Sequence, residues 1–124
     1  MAHKAIASLQ LTAKLPVVFD GTAGGLTELL NCNNINRAVV LNTVTNERQV
    51  DKVNAFALET DKNYEHLIPF CSVHPLNDNI YERLSYYKSL GIKGIKHHPD
   101  YVGIELDDER TYPLLSAASE LKMP

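Results

Sequence analysis

Apolar and polar positions alternate with changing period along the chain, and each change of period delimits a predicted element. From Ala2 to Thr12, Ala5, Ile6, Leu9 and Leu11 recur at near-helical spacing until Pro16 and the Asp20-Gly21-Thr22 turn interrupt them. A second helix is predicted from Gly24 to Cys32, with Leu26, Leu29 and Leu30 on its buried stripe. The Asn-rich stretch Asn31 to Asn36 ends it, because asparagine tolerates the left-handed conformation of a helix C-terminus. Ile35 to Leu41 is then short, β-branched and almost entirely apolar, which fits a strand covered on both faces.

The same succession repeats. After the polar Asn42 to Asn46, residues Val50, Val53, Phe56 and Ala57 carry a helical period up to Asp61. Leu67 to Val73 is the next apolar run, closed by His74-Pro75, and Asn77 or Asp78 is placed to cap a helix. That helix sets Ile80, Leu84 and Tyr87 on one side and stops at Gly91. Ile92 to His98 is the third run, ended by Pro99, and a last helix is predicted from Thr111 with Tyr112, Leu115, Ala118 and Leu121 as its stripe. Three strands alternating with five helices predict an α/β fold on a parallel sheet. Every βα loop then lies at the same end of the sheet, the end where such folds place their chemistry.

Composition narrows the function classes. Of 124 residues, 44% are apolar and 22% charged, an ordinary globular balance for one domain spanning residues 1–124. A net charge of -3, with the basic residues spread singly, leaves no footprint for a phosphate backbone, so nucleic acid is not an expected partner. No apolar stretch approaches the roughly 18 residues of a membrane span, so no membrane association is expected either. Cys32 and Cys71 are far apart, with no CxxC pattern and no signal peptide, and a reducing cytoplasm is the expected compartment. Neither thiol has a visible activator.

Strand parity sorts the candidate chemistry. Cys71, Val73 and Ile95 suit a helix-covered face; Ser72 with His74, and Lys96 with His98, point to the other face at the C-terminal ends of adjacent strands. Imidazoles there can ligate a metal or carry protons near neutrality, and a lysine in a partly dry site can hold an anionic substrate. Plainer roles compete: a histidine before proline turns the chain with its ring bonded to a loop carbonyl, and Lys96 can pair with Asp100. His74, Lys96 and His98 alone are too few for a metal site, since three or four converging ligands are needed.

The other polar residues point less clearly to chemistry. Parity sets His97 toward the helices, His3 reads as a surface residue, and His66 opens a strand at the wrong end for catalysis. Asp107, Asp108 and Glu109 supply favourable charge at the start of the last helix. Gly21, Gly24 and Gly25 match neither a phosphate loop nor a dinucleotide fingerprint. There is no GxSxG elbow and no cysteine placed as a nucleophile.

The third run and its exit, GIKGIKHHPDY (Gly91 to Tyr101), followed by DDERTYPLLSAASELKMP (Asp107 to Pro124), resemble the amidohydrolase-related branch of the metal-dependent hydrolases. Members commonly read GIKGIKLHP and then a DD-x-R-x-YP-type helix start. INRAVVL (Ile35 to Leu41), PFCSVHP (Pro69 to Pro75) and AHKAIASL with its later DGT fit the same pattern, so the resemblance covers nearly the whole chain. It implies a (β/α)8 barrel with a divalent metal, zinc by expectation, that activates water for hydrolysis of a small molecule or, in some members, supports nonoxidative decarboxylation.

The family's metal ligands come from a His-x-His pair on the first strand, histidines on the fifth and sixth, and an aspartate on the eighth. By this alignment the three runs are family strands two to four, and the first strand and the second half of the barrel fall outside the chain. Lys96 and His98 match the Lys and His of the fourth-strand motif and are expected to line a substrate pocket, together with His74; His97 departs from the usual Leu.

A full barrel takes about 250 residues. The expectation is therefore a partial barrel, inactive by itself, that binds no metal tightly and forms homo-oligomers through exposed sheet edges. A non-enzymatic α/β module that oligomerises or binds a small ligand between His74, Lys96 and His98 is the alternative. An open flavodoxin-like sheet is weaker, because Asn42 to Asn46 lacks the Ser, Thr and Gly density of a phosphate loop.

Overall fold

In a computed structural model, residues 6, 7, 10, 11, 16 and 18–124 are described. They fall into two compact units, residues 1–38 and 39–124. In the first, residues 6, 7, 10 and 11 are helical; the rest of the helix expected over Ala2 to Thr12, His3 included, lies outside the described residues. Helix α1 runs Ala23–Cys32. Its start is built by the expected turn: both Asp20 carboxylate oxygens accept from Thr22, and Thr22 Oγ1 accepts from the Gly25 N–H at 3.0 Å, the bond of an N-cap. At its end Asn34 takes the left-handed conformation (φ 56°), and the Ile35 N–H turns back to the Leu30 carbonyl at 2.9 Å.

That closure corrects the first strand. Ile35 belongs to the helix exit, and β1 is Ala38–Leu41. In the second unit a 3-10 turn over Glu47–Gln49, capped by Asn46, leads into α2, Val50–Asn63. Strand β2 is Leu67–Phe70, α3 is Ile80–Ser89, α4 is the short Pro99–Val102, and a 3-10 turn at Glu109–Thr111 precedes α5, Tyr112–Glu120.

The described residues thus form a mixed α/β fold with a small parallel sheet of two strands, β1 beside β2. The third predicted strand is a correction: residues 92–98 meet β2's exit through one parallel bridge, Cys71 with Ile95. Its bonds are Cys71 N–H to the Gly94 carbonyl at 3.0 Å and Lys96 N–H to the Cys71 carbonyl at 2.7 Å. Ser72, the next residue of β2's exit, bonds its backbone to a side chain of α2.

Helix α2 packs on β2, and α3 packs against α5. The core between them joins Val44, Val50, Ala57, Cys71, Val73, Ile80, Leu84, Tyr87, Ile92, Leu114, Ala117 and Leu121. The expected stripe of α3 is buried as predicted, and Gly91 (φ 101°) stops that helix. Its cap differs: Asn79, left-handed at φ 55°, occupies the N-cap, while the Asn77 side chain is drawn to His74.

Two stripes depart in part from expectation, although Val50, Ala57 and Leu121 are buried as expected. On α5 the buried residues are Leu114 and Ala117, with Leu121 just beyond, whereas Tyr112 and Leu115 are 53% and 42% exposed. On α2, Phe56 is 48% exposed, and polar Asn54 and Thr60 take places beside Val50 and Ala57.

Gly94 is required by packing. A Cβ built on it would overlap the Phe70 ring, whose Cε2 and Cζ lie nearest. Gly94→Ala is expected to destabilise by about 2 kcal/mol through overpacking, and Phe70→Leu in the same background to recover most of the loss. Urea unfolding of the two variants and the double variant measures both effects.

Candidate functional site

The exits of β2 and of the 92–98 run stand side by side, joined by the Cys71–Ile95 bridge. Beyond the bridge, Ser72 organises the site. Its N–H donates to Asn54 Oδ1 at 2.9 Å and its carbonyl accepts from Asn54 Nδ2 at 2.8 Å. A wholly buried side chain of α2 thereby stands in for a neighbouring strand. The Ser72 hydroxyl donates to the Lys96 carbonyl at 2.7 Å and fixes the backbone that carries Lys96, His97 and His98. Sequence reasoning missed Asn54. The signal was a polar residue between Val50 and Ala57 at helical spacing on the apolar face.

His74 is nearly buried and anchors the following turn. Its N–H donates to Asn77 Oδ1 at 2.9 Å, the Asn77 N–H returns to its carbonyl, and ring Nδ1 accepts from the Leu76 N–H at 3.3 Å. Nδ1 is therefore the unprotonated nitrogen of the neutral ring, and Nε2 carries the hydrogen. The loop role predicted as the plain alternative is present, made with a backbone N–H in place of a carbonyl.

His98 stacks on Tyr101, with ring centroids 4.0 Å apart and planes inclined by 10°. Its Nδ1 lies 3.9 Å from Asp100 Oδ2, so Asp100 faces His98, not Lys96 as the alternative reading had it. Among the described residues no carboxylate stands within ion-pair distance of the Lys96 ammonium.

His97 lies between Lys96 and His98 on the same segment. Both its ring nitrogens, like His98 Nδ1, are shielded from solvent without a hydrogen-bond partner. Burial lowers its pKa first, and electrostatic interaction with His74, Lys96 and His98 lowers it further. Because the folded pKa lies below the unfolded value, the unfolded chain binds the extra proton, and stability falls as pH drops below the ordinary histidine value of 6.5. The His97→Asn variant is expected to lose that slope in thermal melts between pH 7 and pH 5.

The remaining candidates are structural. Burial pushes the Cys71 thiol up to about 12, which removes it as a nucleophile, and Cys32 is exposed. A maleimide is expected to label Cys32 alone in the native chain and both thiols in urea, as mass spectrometry will read. Asp108 accepts from Arg110 N, Nε and Nη2, and these bonds hold its carboxyl down at about 2. Its part in the acidic run is thus to cap the turn before α5.

His66 directly precedes β2, at the end of that strand opposite His74. A shallow groove of about 300 Å³, lined by Tyr81, Pro113, Ser116, Ala117 and Glu120, lies on the helical layer and contains none of the strand-end histidines. Among the described residues no three His, Cys, Asp or Glu side chains come together as a metal site. Their donor set therefore does not fit the metal that the family resemblance implies. Set against family models, curated proteins and solved structures, the chain matches none of them.

Proposed function

We propose that this chain is a section of an amidohydrolase-type (β/α)8 barrel, forming part of the wall of a small-molecule pocket. Hydrolysis, and the divalent metal it uses, belong to the complete protein in this reading; no step is assigned to a metal held by the described residues. The observation that carries the reading is neighbour order. β1, β2 and the 92–98 run follow one another side by side in chain order, with the parallel bridge between the last two. Polar His74, Lys96, His97 and His98 gather at the C-terminal ends, where barrels of this type bind substrate. A flavodoxin-like sheet starting here, with order 2-1-3, would instead seat the third run beside β1.

The genomic reading frame on both sides of this segment tests the proposal. A His-x-His upstream and a further strand ending in histidine downstream are expected; an open frame confined to these residues would overturn it. Ester and amide hydrolysis by the chain alone is expected to show no stimulation by zinc. Zinc-dependent turnover that disappears in His98→Ala would refute the assignment of activity to the complete protein.

A second reading, a non-enzymatic module that self-associates, is favoured by β1. Val39 and Leu41 are half-exposed there, and among the described residues no further strand pairs beyond it. Light scattering decides, because a stable monomer at high concentration contradicts association through sheet edges. No helix among the described residues is long and apolar enough to cross a membrane; we place the chain in the cytoplasm.

A further inference from the structure

We infer that the outer edge of the 92–98 run is a docking edge for a parallel β-strand running on from Pro124, in a register that the fold already sets. The existence of that strand rests on the barrel reading; the edge and its register rest on backbone hydrogen bonds.

Successive residues of an extended segment turn their backbone groups to opposite sides. Gly94 and Lys96 turn theirs to the exit of β2. The Gly94 carbonyl accepts from the Cys71 N–H at 3.0 Å, the Lys96 N–H donates to the Cys71 carbonyl at 2.7 Å, and the Lys96 carbonyl accepts from Ser72 Oγ. Ile95 and His97 therefore serve the other edge. There the Ile95 N–H donates to the Pro124 carbonyl at 2.7 Å. The Ile95 carbonyl, the His97 N–H and the His97 carbonyl follow along that edge, and among the described residues they have no hydrogen-bond partner. Such a row is a template for a further strand.

Topology identifies the occupant. β2 reaches the 92–98 run through α3, and the 92–98 run reaches Pro124 through α5, one place further along the sheet. Helical crossovers join parallel neighbours in this way, and α5 packs against α3 in one layer. Pro124 suits the first place of a strand, since it has no N–H to give to an earlier rung. Met123, beside it, is buried in the core and anchors the entry. A strand from a second copy would meet Pro124 already seated on the first rung.

The register follows from the Ile95 bond. In a parallel ladder the residue after Pro124 stands opposite Ile95. The second residue after Pro124 then donates its N–H to the Ile95 carbonyl and accepts from the His97 N–H, and the fourth donates to the His97 carbonyl. A strand of about five residues, with no proline at those two donor places, meets the requirement.

Amide hydrogen exchange read by NMR tests the edge. In the 124-residue chain the Ile95 and Lys96 amides are expected to exchange slowly and the His97 amide rapidly. Adding Thr-Val-Thr-Val-Thr after Pro124 is expected to slow His97 by about tenfold or more, at any protein concentration. The same tail with proline as its second residue lacks the donor to the Ile95 carbonyl and should return His97 to its original rate. Ile95 should stay slow in both, as the control for folding.

An unchanged His97 rate with the first tail, or equal protection with both tails, overturns the inference. So does a His97 amide already slow in the chain alone. Protection that falls on dilution comes from a second copy and overturns the choice of occupant. An open frame confined to these residues overturns the barrel and with it the natural strand, whereas failed protection overturns the edge alone.

Discussion

Asn54→Ala is expected to lower the unfolding free energy by about 3 kcal/mol, because two buried backbone groups lose their partners together. The Asn54 amide holds the Ser72 N–H at 2.9 Å and the Ser72 carbonyl at 2.8 Å, and neither side chain nor backbone is open to water that could replace it. Urea denaturation measures the loss. Lys52→Ala, an exposed position of the same helix, should stay within about 0.5 kcal/mol of the parent.

Asn54→Asp separates hydrogen bonding from packing. An ionised carboxylate would accept from the Ser72 N–H but face the Ser72 carbonyl with no hydrogen, so folding favours the protonated acid and the folded pKa is raised. Its stability is then retained below the ordinary carboxylate range and lost as pH rises through the folded value, opposite in sign to the His97 effect. A pH-independent loss equal to that of Asn54→Ala would show that shape, not the paired hydrogen bonds, is what Asn54 contributes. The consequence extends to the site: Ser72 holds the Lys96 carbonyl at 2.7 Å, so freeing Ser72 loosens the segment bearing Lys96, His97 and His98.

Leu84→Ala is expected to cost a comparable amount, about 3 kcal/mol, for a different reason. Leu84 is fully buried on α3 and belongs to the single core that joins α2, α3, α5 and the exit of β2. Truncation removes apolar burial and leaves a cavity walled by helix and sheet that cannot fully close. The loss should appear as a lower urea midpoint with little change in slope, and it should add to that of Asn54→Ala if the two sites are independent. A loss below 1 kcal/mol would mean that α3 collapses onto α5 more readily than their packing indicates.

The two substitutions mark what is legible in a sequence of this kind. Leu84 was readable because its helix repeats Ile80, Leu84 and Tyr87 on one side with Gly91 as a stop, and local periodicity states such a face directly. Asn54 was marked only by its place on the apolar face between Val50 and Ala57, and its partner was not readable there. Its value depends on a backbone eighteen positions further along the chain. The departure on α5 has the same origin. Tyr112, Leu115, Ala118 and Leu121 repeat as regularly as Leu114, Ala117 and Leu121, and packing against α3 chooses Leu114 and Ala117 over Tyr112 and Leu115.

The sequence by itself determined the run of elements from α1 to α3, the helix start at Asp20 to Thr22, the Asn34 and Gly91 stops, and the burial of Cys71 and Val73. All of these depend on residues within one or two turns of each other. Tertiary structure decided where β1 begins, how little of the third run pairs, and which carboxylate meets His98. It also decided that both His97 ring nitrogens are shielded without a hydrogen-bond partner. Residue types were visible locally, and the burial of the His97 nitrogens arose only when the chain folded.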